Sequence, residues 1–347
     1  MSEQHPYPWP TASSTGVGSW PGEDPDEAVR TVLGELPDLP HLPELPGRGV
    51  GADMIGRTAG LLVEFPVEVQ PTGWRVADTP GRDLYRAHGF LSRDLDVLTE
   101  HAHAYEGALK IQVAGPWTMA ASTELRNGQR VIADPGAYRD LCASHLEGVR
   151  AHLADVRTRV PGARLLVQID EPSLPAVLLG ALPTASGYGR LRAVDRIRVE
   201  ETLRTLFTTI TDAGAVPVVH CCAGNAPLDL LRRSGARALS LDAGLLDRRH
   251  DDMVGTAVEA GVGLLLGVVP AVDPTPSEQA RMSDPAANVD VVRELWNRLG
   301  FSPDLLSRTV VTTPACGLAG ASPHHARAAL RAARDGARVL RDEPRRS

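Results

Sequence analysis

The sequence predicts an α/β protein folded as a single (β/α)₈ TIM barrel, and three observations carry that expectation. Short apolar β-type runs bounded by Gly, Pro or Asp recur along the 347 residues, mostly separated by longer amphipathic segments. Eight such runs can be counted, and buried strands alternating with helices argue for a parallel sheet closed on itself. No Gly-x-Gly-x-x-Gly loop opens a helix after the first run, which weakens the competing doubly wound, dinucleotide-binding sheet. A barrel takes about 250 residues plus insertions, so the chain is long enough for one barrel and a full core.

Taken in order, residues 1–12 read as a loose N-terminal tail and residues 13–347 as the barrel, ending in a basic Arg-Arg-Ser. Strands are expected at 14–19, 65–70, 108–115, 164–170, 216–221, 238–243, 262–269 and 308–316. The proline-rich segment 37–51 reads as a loop, not a linker between domains. Helices are clearest at 134–159, 195–214, 252–261, 284–300 and 322–340. Each begins near an Asp or Ser able to cap free N–H groups, and several end at Gly.

Composition narrows the function classes. Hydrophobic residues make up 43% and charged residues 23%, ordinary for a globular protein. A formal charge of −7 leaves no basic surplus for a phosphate backbone, so nucleic acid is not an expected partner and a small molecule is. There is no apolar run of about 18 residues and no basic-then-apolar leader, so no membrane partner and a cytoplasmic location are expected. In a reducing compartment the four cysteines, Cys142, Cys221, Cys222 and Cys316, are not expected to form structural disulfides.

Barrel chemistry sits at the C-terminal ends of the strands. Those ends carry Gly18-Ser19, Asp170-Glu171, His220-Cys221-Cys222, Asp242 and Cys316. Side chains alternate faces along a strand, so His220 and Cys222 point the same way and Cys221 packs as a small apolar group on the other face. Cys316 would add a second thiolate and Asp242 an oxygen, a zinc set drawn from separate strands. The alternative is a satisfied barrel histidine and three buried cysteines, and spacing alone leaves both open.

Other polar residues invite structural readings. His101 and His103, two apart, face different sides of a helix and do not suit a shared metal. His324 and His325 follow Ser322-Pro323 and read as surface residues of a helix start. Cys142, mid-helix, reads as core, and burial alone explains Trp117.

At this point the motifs resemble a family. "TGVGSWP", "VAGPWT", "VQIDEPSL", "VVHCC" and "TPACGL" occur in the order found in the C-terminal catalytic barrel of cobalamin-independent methionine synthase, and they reach from residue 15 to about 335. The resemblance implies zinc held by His220, Cys222 and Cys316, with Asp242 where the family has a glutamate. It implies Asp170 on the amino group of homocysteine, Ser19 near its carboxylate, and Glu64 as a second amino-binding acid. A free alkyl thiol, with a pKa above about 8, is mostly protonated at neutral pH, and zinc would deprotonate it.

The implied activity is a zinc-dependent methyltransferase of methionine biosynthesis, converting homocysteine to methionine. The family's N-terminal half, which helps bind a polyglutamylated folate, has no counterpart of its size, so the expected donor is methylcobalamin, a corrinoid protein or another non-folate donor. The family's histidine after strand seven is replaced by Asp273 and Thr275. Two alternatives stand beside this reading: a metal-free uroporphyrinogen decarboxylase-like enzyme, which needs a basic pocket, and a catalytically degenerate zinc- or thiol-binding barrel.

Overall fold

The computed structural model describes residues 7–344. Its strands, in chain order, are β1 (Val67–Gln70), β2 (Gly73–Val76), β3 (Ala108–Ala114), β4 (Thr123–Glu124), β5 (Arg164–Asp170), β6 (Val216–His220), β7 (Ala238–Asp242), β8 (Gly263–Val269) and β9 (Val310–Pro314). Six form one curled parallel sheet in the order β3-β5-β6-β7-β8-β9. Strands β1, β2 and β4 make a separate three-stranded sheet. Among the described residues, no helix is long and apolar enough to cross a membrane.

The strand expected at 65–70 is therefore not part of the main sheet: β1 pairs antiparallel with β2. Its expected place is taken by the segment read as a proline-rich loop. Lys110 N–H donates to Pro40 O at 2.9 Å and Leu42 N–H to Lys110 O at 2.9 Å, while Glu44 N–H donates to Gly18 O at 3.1 Å. Residues two apart in a strand donate to the same side. Leu42 and Glu44 donate to opposite neighbours, so the chain rotates at Pro43 and no continuous ladder forms. The first expected strand behaves similarly. Its Ser14 bridges Thr312 of β9 and its Ser19 bridges Glu44, both in parallel sense. Two extended segments thus hydrogen-bond across the gap between edge strands β3 and β9.

Helices cover the outer face, and their starts follow the capping signals. Asp134 accepts from Gly136 and Ala137 N–H to open Pro135–Arg159, Asp195 opens Arg196–Asp212, and Ser322 opens Pro323–Asp342. His101, near the end of the helix Arg82–Ala102, pairs with Asp26 at 2.6 Å. His325 corrects the expectation for the last helix. It is buried, with Nε2 on Pro270 O at 2.9 Å, while His324 is exposed.

Inside the sheet the two-residue period sorts side chains by height. At the base, Ala108, Leu166, Val218, Ala238, Leu265 and Val311 form an apolar cluster with Leu39 and Trp9. Residues 7–12 are thus no loose tail. Trp9 is 1% exposed, its Nε1–H donates to Arg308 O at 3.1 Å, and its ring stacks on Tyr7 with centroids 5.0 Å apart. Gly263 allows this, since a Cβ there would stand 2.4 Å from the indole. Residues 1–6 of the expected tail, and the basic end 345–347, lie outside the described residues.

Replacing Trp9 with alanine empties the base of the sheet and is expected to cost about 3–5 kcal/mol of stability. Equilibrium denaturation would show it, and an unchanged midpoint would mean that the indole does not seal the base.

Candidate functional site

Above the apolar base the inward positions turn polar: Lys110 and Gln112 on β3, Gln168 and Asp170 on β5, His220 on β6, Ser240 on β7. Their upper end opens into a cavity of about 360 Å³ lined by Val17, Ser19, Glu44, Met54, Asp170, Pro172, His220, Cys222 and Cys316 among others. No lysine or arginine lines it.

His220, Cys222 and Cys316 bring one ligand atom each to within 4.8 Å of one another. Register explains the histidine. Asp170, His220 and Ser240 stand level on three adjacent parallel strands, and His220 Nδ1 lies 3.0 Å from Ser240 Oγ, which leaves Nε2 as the free donor atom. Cys221, one residue on, is 1% exposed and packs as an apolar group. The Sγ atoms of Cys222 and Cys316 lie 3.8 Å apart. Sulfurs at about 2.3 Å from one tetrahedral zinc ion stand about 3.8 Å apart. An imidazole with two thiols is a donor set that zinc favours, so the residues present fit that ion.

The two thiols behave as a unit. Contact with Cys222, then with His220, holds the Cys316 thiol well below the ordinary thiol range, whereas contact with Cys316 and burial push Cys222 up. Burial pushes Cys221 up to about 11 and Cys142 up to about 12.

Asp242 lies outside the three-residue group. Its Oδ1 accepts Gly244 N–H at 2.8 Å and caps the turn Ala243–Leu245, so local backbone holds it at the strand end. Asp170 and Glu171 divide two jobs between opposite faces of one chain. Asp170 faces the cavity and accepts from Gln168 Nε2 at 2.7 Å. Glu171 points outward and accepts Trp117 N–H, Thr118 N–H and Thr118 Oγ1–H at 2.8–3.0 Å, capping the helix Pro116–Ser122. Gly115 is needed there, because a Cβ would come 2.2 Å from the Glu171 carboxylate.

The second acid of the cavity is Glu44 and not the expected Glu64. Glu64 is exposed, has a left-handed φ of 54° and is not among the lining residues. Glu44 is 5% exposed and faces the cavity. Sequence reasoning passed over it because it sits among prolines, although a lone acid in the apolar stretch "LPHLPELP" was an available signal. Lys110 is a second omission: a lysine centred in an apolar strand, it donates to Val17 O at 2.8 Å and Gln112 Oε1 at 3.2 Å. Burial pushes Glu44 up to about 7, Asp170 up to about 6 and Lys110 down to about 8. Ser19 lines the cavity, and its Oγ accepts Ala319 N–H at 3.4 Å, tying it to the loop after β9. Asp273 and Thr275 are structural: Asp273 holds Ser322 at 2.6 and 2.7 Å, and Thr275 caps the helix Pro276–Met282.

Residues 9–339 match the model of the family described as cobalamin-independent synthase, catalytic domain. The chain belongs to that family. Membership places it with methionine synthase-type enzymes. The fold agrees with a B12-independent methionine synthase from Shewanella sp. W3-18-1, whose structure aligns with a TM-score of 0.62 at 12% identity, covering 96% of this chain and 99% of that one. A β-mannanase from the blue mussel Mytilus edulis aligns with a TM-score of 0.44 at 8% identity over 93% of this chain and 91% of its own. Among curated proteins, none matches the sequence. A family defined as cobalamin-independent argues against the methylcobalamin or corrinoid-protein donor expected from the sequence.

In metal-free protein at neutral pH, iodoacetamide is expected to modify Cys316 first and to leave Cys142 and Cys221 largely unmodified. Peptide mass spectrometry reads the order, and equal labelling of all four thiols would contradict the electrostatics described.

Proposed function

We propose that the chain is a zinc-dependent S-methyltransferase that converts homocysteine to methionine using a small, non-corrinoid methyl donor. The observation that carries this reading is the placement of two thiols and an imidazole within 4.8 Å in the same cavity as two buried carboxylates. In keeping with a (β/α)₈ barrel, segments 13–19 and 40–44 would serve as its first two staves. The Shewanella protein was solved in complex with selenomethionine, the selenium counterpart of the proposed product.

His220, Cys222 and Cys316 would hold the ion, leaving a fourth position open to the substrate, as in catalytic zinc sites. Zinc bound there would keep a substrate thiol deprotonated at neutral pH. The protein's own groups select and orient. Asp170, held by Gln168, and Glu44 offer paired negative charge to the ammonium group of an amino-acid thiol. Ser19, which lines the cavity, would meet the substrate carboxylate, and Val17, Met54 and Pro172 would supply apolar walls that exclude water. The methyl group passes to sulfur as its bond to the donor breaks, and the thiol proton is lost to solvent. A decarboxylase of polycarboxylates is disfavoured, since the lining carries two acids and no lysine or arginine.

Metal analysis with a parallel assay for methionine tests this. Wild type is expected to hold one zinc per chain and Cys316→Ser to lose it, while Asp242→Ala retains it because Asp242 already serves Gly244. Zinc in wild type without methionine from any donor would leave the degenerate zinc-binding barrel.

The carboxylates also set a pH window. They must be ionised to take an ammonium group, and burial raises Asp170 to about 6 and Glu44 to about 7. Homocysteine affinity is expected to be full above that range and to weaken as pH falls through it. Calorimetric titration across the range measures this, and a flat profile would contradict the assignment.

A further inference from the structure

We propose that Arg57 is a positioning residue that makes the cavity selective for amino-acid thiols, by holding the Glu44 carboxylate charged and aimed at the substrate's ammonium group. The inference rests on the homocysteine reading above and assigns a role to a residue that does not line the cavity.

Arg57 Nε lies 3.6 Å from Glu44 Oε1, and its Nη1–H donates to Asp94. Asp94 also receives both terminal nitrogens of Arg48 at 2.7 and 2.8 Å. Arg48, Asp94, Arg57 and Glu44 thus form a chain of alternating charge, with side-chain exposures of 8%, 1%, 5% and 6%. Three of its four members are held by their own backbone. Asp94 sits on the long helix Arg82–Ala102, and Arg57 on Met54–Ala59, whose first turn is pinned by Asp53 on Ile55 and Gly56 N–H. Glu44 is fixed by its own backbone bonds to Gly18 and Trp20.

The groups facing Glu44 are Arg57, Asp170, Lys110 and Gln112. Asp170 repels its charge. Lys110 directs its hydrogens to Val17 O and Gln112 Oε1 and makes no ion pair with Glu44. Among the described residues, Arg57 is the cation paired with Glu44. A buried carboxylate without such a partner takes up a proton and offers an ammonium group no opposite charge. The pair is also two-sided: Asp94 draws off part of the Arg57 charge, so Glu44 stays free to attract a second cation.

The test compares L-homocysteine with 4-mercaptobutanoate, which keeps the thiol and the carboxylate but lacks the amino group. Dissociation constants are measured by calorimetry on zinc-loaded wild type, Arg57→Met, Arg57→Lys and Glu44→Gln. In Arg57→Met the preference for homocysteine is expected to fall at least tenfold, with 4-mercaptobutanoate affinity and zinc content unchanged. Arg57→Lys is expected to restore part of the preference. Glu44→Gln is expected to lose it as well and keeps the test open should Arg57→Met fail to fold. An equal loss for both thiols in Arg57→Met, or an unchanged preference in Arg57→Met or Glu44→Gln, would overturn the assignment of Arg57 while leaving the homocysteine reading standing. Wild type that binds neither thiol would remove that reading and this inference together.

Discussion

Parallel register is the constraint on which the site depends. Neighbouring strands hold residues at fixed heights, so Asp170, His220 and Ser240 meet in a row without any loop having to carry them there. The imidazole has a carboxylate on one side and a hydroxyl on the other before a ligand arrives. A slip of one residue would exchange inward and outward faces and scatter the group. The same alternation separates Asp170, inside, from Glu171, which caps an outer helix. One dipeptide therefore supplies both a cavity-lining carboxylate and a structural one.

A polar interior to the curled sheet costs stability, and the structure limits that cost by layering. The lowest inward layer is apolar and capped by the buried Trp9. Above it, each buried charge has a partner or several dipoles: Lys110 on two oxygens, Asp170 on Gln168, Glu44 on Arg57. Unpaired, such groups would neutralise. Paired but still desolvated, they sit with acids raised and the lysine lowered, the kind of perturbation that gathers at functional sites.

Legibility from sequence divides along the same lines. His220, Cys222, Asp170 and Cys316 were readable because each ends a clear apolar run, and because His-x-Cys has the two-residue spacing of one strand face. The six strands of the main sheet were readable for the same reason. Glu44 was hidden because its segment is extended through isolated backbone bonds around Pro43, with no alternating pattern to announce a strand. The family resemblance implied Glu64 in its stead, but the segment around Glu64 leads into β1, which belongs to another sheet. Trp9 looked like tail because its partners lie on β8 and beside residue 308, far along the chain.

The sequence by itself determined the α/β alternation, the helix starts and the chemical nature of the His/Cys cluster, since these depend on local periodicity, capping and residue type. Only the tertiary structure decided which acid faces the cavity and that Arg57 stands behind Glu44. The physical reason is that those outcomes are distances between segments far apart in the chain. Strand order, twist and burial set such distances, and no local window of sequence contains them.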